Sequence, residues 1–156
     1  MSAIKRISFW VVLILFFFLI KTFFIQPFRA FGPSMEPTIP DGKIIFVNRI
    51  VYKFRKPERG EIVVFRTSDK PYIYFVKRVI GKEGERIKII NGDVFVNGKK
   101  LKEEYVVNRS NWNMLEIKVK KNHIFVIGDN RSMDISQHLK GEVSLKNVVG
   151  KVIGIK

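Results

Sequence analysis

The stretch RIKIINGDVFVNGKKL, Arg86 to Leu101, decides the fold class of this 156-residue chain. Isoleucine, valine and phenylalanine form apolar runs on both sides of Asn91-Gly92. An Asn-Gly pair readily takes the two positive φ angles of a type I′ turn, the turn whose twist matches paired strands. The stretch therefore reads as a β-hairpin, and Asn97-Gly98 offers a second turn at its far end. Working outward, KIIFVNRIVY (Lys43 to Tyr52), GEIVVF (Gly60 to Phe65) and YIYFVKRVI (Tyr72 to Ile80) are equally rich in β-branched and aromatic residues. HIFVIGDN (His123 to Asn130) and VVGKVIGI (Val148 to Ile155) look like further strands. No sustained helical periodicity follows residue 26. The body, residues 27–156, is expected to be all-β, a small barrel or sandwich with Gly and Asn turns.

The first 26 residues differ. ISFWVVLILFFFLI, Ile7 to Ile20, resumes after Lys21 as TFFI to Ile25. That matches the ~20 residues that span hydrocarbon as a helix. Lys21 lies near one end, where its ammonium can reach the head groups. Trp10, near the other end, suits an interfacial belt. No A-x-A-like site precedes Pro27, which argues against a removed signal peptide. The apolar surface on every side argues against a buried core helix. Residues 1–26 are read as one transmembrane anchor. Lys5 and Arg6 favour a cytoplasmic N-terminus, and Lys21 and Arg29 weaken that orientation. Long translocated domains largely escape the charge rule, which leaves the body free to lie outside.

The net charge is +15. Such a surface is drawn to anionic lipid or to nucleic acid, and charge alone does not choose between them. The absence of cysteine excludes disulfides, thiolate zinc sites and a cysteine nucleophile. The two histidines, His123 and His138, are far apart and in no metal-binding spacing, so no metal site is expected. Lys99, Lys100 and Lys102, with Lys118, Lys120 and Lys121, read as solvated surface.

FGPSMEPTIPDG, Phe31 to Gly42, sets Ser34 on a stiff turn between Pro33 and Pro37. A serine hydroxyl needs a base to attack an amide. Neither histidine has a persuasive context. A lysine serves if it is neutral, which for a free pKa of about 10.4 requires a shift of roughly three units, about 4 kcal/mol. Burial among apolar groups can supply this, because it disfavours the charged form. Lys77 is best placed. Alternation in YIYFVKRVI puts Phe75, Lys77 and Val79 on one face, and Val76, Arg78 and Ile80 on the other. Two readings stand here: a catalytic base, or an edge lysine guarding against aggregation.

SMEPT (Ser34 to Thr38), RGEIVVF (Arg59 to Phe65), KRVIGKEGE (Lys77 to Glu85) and GDNR (Gly128 to Arg131) occur in the order found in bacterial type I signal peptidases. The resemblance covers almost the whole chain and resembles a short member with one anchor. It implies an antiparallel β catalytic domain with an inserted region, here about 91–121. It implies that Ser34 is the nucleophile, with its backbone N–H in the oxyanion hole, and that Lys77 is the general base. Some members add a serine hydroxyl two positions before the nucleophile; Gly32 stands there in this chain. Phe28, Ala30, Met35, Ile39 and Val76 match positions lining shallow pockets for the small side chains before the cut.

The last motif departs from the family. The usual run is GDNR, two residues, serine, one residue, then aspartate-serine-arginine. This chain reads GDNRSMDISQHLKG, two residues short after Arg131. The S-M-D spacing puts Ser132 where the family's hydroxyl orients the lysine and Asp134 at the structural acid. An ungapped register leaves Asp134 in the serine's place. The expected arginine becomes Ser136, so Asp134 needs another partner, Arg131 or Lys140. Asp129 is expected to pair with Arg78 in either register.

The resemblance thus implies a membrane-bound serine endopeptidase that removes signal peptides from exported preproteins. It would sit in the cytoplasmic membrane as a single-pass protein with its catalytic domain on the extracytoplasmic side. The lipid bilayer is a partner, met by an apolar rim at Phe23, Phe24, Phe28 and Phe31. No nucleic acid partner, metal or cofactor is expected.

Overall fold

The computed structural model describes residues 3–67, 72–107, 109–138 and 141–155, without the side chains of 3–6, 17–23 and 137–138. Lys21, Phe23, His138 and Lys140, used in the readings above, lie outside what is described. The chain opens with helix α1 (Ala3–Phe24). Its side chains at Ile7, Phe9, Trp10, Val12, Ile14 and Leu15 are each more than half exposed. Among the described residues no helix is long and apolar enough to cross a membrane. Residues 17–23, which complete the apolar run, are not among the described side chains.

The body is β-rich and antiparallel throughout its named strand pairs. The strands are β1 (Ile25–Arg29), β2 (Ile44–Asn48), β3 (Ile62–Arg66), β4 (Tyr74–Gly81), β5 (Arg86–Ile90), β6 (Asp93–Val96), β7 (Lys99–Lys100), β8 (Met114–Lys118), β9 (His123–Ile127), β10 (Gly141–Ser144) and β11 (Val148–Ile153). Seven of them form one sheet in the order β1-β2-β11-β3-β4-β9-β10. The expected barrel is not a closed one, because β1 and β10 stand at the two ends of that order and do not pair among the described residues. The other four form a smaller sheet, β7-β6-β5-β8.

The opening hairpin is β5 and β6. Ile87, Ile89, Val94 and Val96 point inward to a core with Ile80, Phe125 and Ile127 from the larger sheet. Both turns have the expected geometry, with positive φ at Asn91, Gly92, Asn97 and Gly98. The smaller sheet begins at Arg86, so a boundary at residue 91 falls inside its first hairpin. The two glycines allow a test. At Gly92 an added Cβ would lie 2.1 Å from the Ser110 carbonyl, whereas at Gly98 it meets nothing within 4 Å. Gly98→Ala is expected to cost about 1 kcal/mol from the turn angle alone, and Gly92→Ala about 2 kcal/mol or more. Urea midpoints compare them; equal losses would mean that the Ser110 contact contributes nothing.

One predicted strand is shorter than expected. Lys43–Tyr52 reads as a continuous strand, but β2 ends at Asn48. The Asn48 side chain accepts hydrogen bonds from the N–H groups of Ile50 and Val51 and turns the chain into the single-turn helix α2 (Val51–Phe54).

The topology sets three segments side by side. The β1–β2 connection carries Ser34. Strand β4 carries Lys77 and Arg78, opposite Val63 and Ile62 of β3. Strand β9 pairs with the other edge of β4 and delivers the loop Gly128–Arg131.

Candidate active site

Ser34 lies in a short 3-10 turn, Pro33–Met35. The turn is rigid for local and non-local reasons. Proline occupies its first position, and the Glu36 N–H closes on the Pro33 carbonyl at 3.0 Å. Before it, Gly32 has a φ of 91° and donates its N–H to Asp41 Oδ1 at 2.8 Å. After it, Met35 and Ile39 are buried at 3% and 1% exposure against Ala30, Ile45, Val47, Ile62 and Val64. These anchors flank the serine and leave its hydroxyl at the surface of the core.

Lys77 is 5% exposed on β4. Its neighbours two residues either side, Phe75 and Val79, pack with Val63, Phe65, Ile124 and Val126. Val76 packs instead with the cluster beneath the serine turn. Lys77 Nζ is 2.5 Å from Ser34 Oγ. A groove of about 480 Å³ opens over this contact. Phe28, Ala30, Met35, Ile39 and Val76 all line it, together with Ser34 and Lys77.

The loop after β9 ties the segment that carries Ser34 to strand β4, which carries Lys77. Asp129 is fully buried. Arg78 donates to it through Nε at 2.9 Å and Nη2 at 2.6 Å, and Thr38 donates its hydroxyl at 2.6 Å. One carboxylate thus joins the residue next to Lys77 with a residue four past Ser34. The bidentate fork fixes direction as well as distance. The Arg78 guanidinium also lies 4.0 Å from the centre of the Tyr105 ring.

Asn130 makes a second tie, which sequence reasoning missed. Its N–H donates to the Ser34 carbonyl at 3.2 Å, and its Nδ2 donates to the Pro33 carbonyl at 3.1 Å. Its Oδ1 accepts from the Ser132 N–H at 3.2 Å and the Ser132 hydroxyl at 2.6 Å. Ser132 therefore corrects the expectation drawn for it. Its hydroxyl proton goes to Asn130, and its side chain is exposed on the turn. With two residues fewer after Arg131, the loop folds this serine back onto its own asparagine.

Asp134 is also not where the shortened motif suggested. Its Oδ1 accepts from the Ser136 hydroxyl at 2.5 Å and from the Ser136 N–H at 2.8 Å, at the start of the single-turn helix α3 (Ile135–His138). Those bonds from Ser136 hold its carboxyl below the usual range. Arg131, proposed as its partner, is fully buried and paired with Glu103 instead. Arg131 Nη2 is 2.5 Å from Glu103 Oε1, and Nε donates to the Gly128 carbonyl at 2.8 Å. Tyr105 donates to the same carboxylate at 2.8 Å, and burial beside that negative charge pushes its phenol up. Glu103 sits in the run KKLKEEYVV, Lys99 to Val107, where nothing separates it from its solvated neighbours. Among the described residues no group of His, Asp or Glu is placed to hold a metal.

A hydroxyl against a buried amine, at the mouth of an apolar groove, can perform nucleophilic attack without help from a histidine. Known proteins bear on this arrangement. The family described as Signal peptidase, peptidase S26, matches residues 3–155. The chain is 38% identical over 144 residues to Signal peptidase I of Bacillus amyloliquefaciens, covering 85% of this chain and 74% of that one. It is 33% identical over 160 residues to Signal peptidase I of Leptolyngbya laminosa, covering 98% and 77%. With Probable signal peptidase I-2 of Synechocystis sp. the identity is 34% over 137 residues, covering 85% of this chain and 63% of that relative. Since the family's match runs through α1, the serine turn, β4 and the loop after β9 alike, the chain belongs to the signal peptidase family of serine endopeptidases, peptidase S26.

Proposed function

We propose that this protein removes signal peptides from exported preproteins with Ser34 as nucleophile and Lys77 as general base. The observation that carries the reading is the 2.5 Å contact between Lys77 Nζ and Ser34 Oγ beside an apolar groove. In the reaction, neutral Lys77 takes the hydroxyl proton as Ser34 Oγ attacks the scissile carbonyl. The backbone N–H of Ser34 receives the developing oxyanion; Gly32 brings no hydroxyl to assist it. Lys77 then returns its proton to the leaving amine, and a water deprotonated by the same lysine hydrolyses the acyl-enzyme. This chemistry draws on no metal or cofactor.

The substrate enters as an extended segment beside the catalytic residues. Phe28, Ala30, Met35, Ile39 and Val76 shape shallow pockets for small side chains at the first and third positions before the cut. The anchor reading is supported by α1, whose 22 residues extend about 33 Å at 1.5 Å each, against ~30 Å of hydrocarbon. Its apolar side chains from Ile7 to Phe16, Leu13 apart, are exposed. On this reading the protein sits in the cytoplasmic membrane with the body on the extracytoplasmic side. The test is to incubate the full chain, in neutral detergent, with a preprotein carrying an Ala-x-Ala site and to identify the product ends by mass. Cleavage after the second alanine is expected, with a loss of at least tenfold when that alanine becomes leucine, since overfilling a tight pocket costs about 1–3 kcal/mol. Cleavage elsewhere, or indifference to the leucine, would overturn the specificity.

Asn130 acts in this scheme as a positioning residue, holding the carbonyls of Pro33 and Ser34 while Ser132 holds its side chain. Asn130→Ala is expected to lower kcat by about 10- to 100-fold with little change in KM, since small misplacements of a nucleophile carry costs of that order. A rise in KM alone would move Asn130 to substrate binding.

A further inference from the structure

We propose that a pocket at the foot of α1 binds the phosphate of an anionic phospholipid head group through Arg49, Lys53, Arg66 and Lys146. The pocket has a volume of about 420 Å³, and Phe24 and Tyr74 complete the part of its wall used here. The four cations come from four separate places: the residue after β2, helix α2, the end of β3, and the short turn Leu145–Asn147. Among the described residues none of them is paired with a carboxylate. Cations elsewhere on the body are so paired, Arg55 and Lys151 with Glu61, Lys82 with Glu58, and Lys120 with Glu142 among them. One carboxylate does touch the pocket's lining, since Tyr52 donates to Glu61. That carboxylate is already matched by Arg55 and Lys151, whose bonds, with those from Glu58 N–H and Tyr52, outweigh its burial and hold it down to about 2.

Four positive charges lining one pocket, none of them paired with a carboxylate among the described residues, repel one another, and an anion placed among them relieves that repulsion. Arg49 Nη1 donates to Gln26 Oε1 at 3.0 Å, and its other N–H groups, with the fork of Arg66, suit a phosphate's oxygens. The lipid, as opposed to a free phosphate, is indicated by what forms the wall. Phe24 is the last residue of α1, and the Arg49 N–H donates to its carbonyl at 3.0 Å. A phosphate held there would sit at the helix's end, with an apolar flank for the glycerol and upper chain. The lipid part of the proposal rests on the anchor reading above. Tyr74 also lines the catalytic groove and meets Phe28 edge to face at 5.2 Å between ring centres. The bound head group would thus lie one aromatic ring from the substrate.

The experiment titrates the full chain, in neutral detergent, with dihexanoyl-phosphatidylglycerol, followed by calorimetry. Saturable binding is expected. Arg66→Gln with Lys146→Gln should weaken it by roughly tenfold or more, since each removes a charge-assisted contact. Lys88→Gln with Lys118→Gln, on the smaller sheet, removes the same net charge and should leave it unchanged. Equal weakening by both pairs, or no saturable binding, overturns the site. Inorganic phosphate binding as tightly as the lipid overturns the lipid assignment. Flotation with purely phosphatidylcholine vesicles tests the anchor separately: a chain that fails to float refutes the anchor, and the detergent titration still reads the pocket.

Discussion

Lys77→Met and Ser34→Ala are each expected to lower kcat for preprotein cleavage by about 10⁴-fold or more, with KM nearly unchanged. Neither side chain lies among the apolar groups that shape the groove, so substrate binding survives their loss. Their effects should not add. Once the base is gone the hydroxyl keeps its proton, and removing the hydroxyl then costs little further; the double variant should match the worse single one. Methionine is chosen for its length, since it fills the channel that Lys77 occupies between Phe75 and Val79 and spares the fold. Lys77→Arg should not rescue, because a guanidinium stays charged. The wild-type kcat/KM should rise with pH as a single group loses its proton, since the amine works as a base only when neutral. A flat profile, or activity that survives Lys77→Met while Ser34→Ala is dead, would move the base elsewhere.

Glu103→Ala is expected to destabilise the body by about 3–5 kcal/mol, the usual cost of stranding a buried charge. The stranded group is the Arg131 guanidinium, which is fully buried and would retain the Gly128 carbonyl and the face of Trp112. Arg109, 3.7 Å from the same carboxylate, loses a partner as well. The damage reaches catalysis through the chain itself. Arg131 follows Asn130 and Asp129, so a loosened Arg131 frees both ties to the serine turn. Urea unfolding should show a lower midpoint with an unchanged slope. The double variant Glu103→Leu with Arg131→Met should recover much of the loss, because apolar replacements strand no charge. A single-variant cost under about 1 kcal/mol would mean that water reaches Arg131 and that the pair is not a buried one.

The parts legible in the sequence are those with local causes. Asn91-Gly92 declares its turn because the backbone angles belong to those two residues. Ser34 stands out because Pro33 and Pro37 stiffen its surroundings, and Lys77 because the residues around it alternate. The illegible parts depend on distant partners. Nothing near Glu103 announces that Arg131 will bury it. Nothing near Asn130 says that its side chain will reach the carbonyl of a proline almost a hundred positions earlier. The spacing of Ser132 and Asp134 invited a match to the family's longer motif, and the shorter loop gave both side chains local partners instead. Asn48 ended a strand that its β-branched neighbours would have continued, through a side-chain bond that propensity does not count.

The position of β11 has a consequence for the order in which the enzyme is made. This strand lies between β2 and β3, and the pairing of Val152 with Val47 closes a gap of about 100 residues in sequence. Until Val148–Ile153 arrive, β2 and β3 each present an unmet edge, and the floor beneath the serine turn lacks Val152. A chain truncated before Val148 is therefore expected to leave those two edges open and the serine turn without part of its floor.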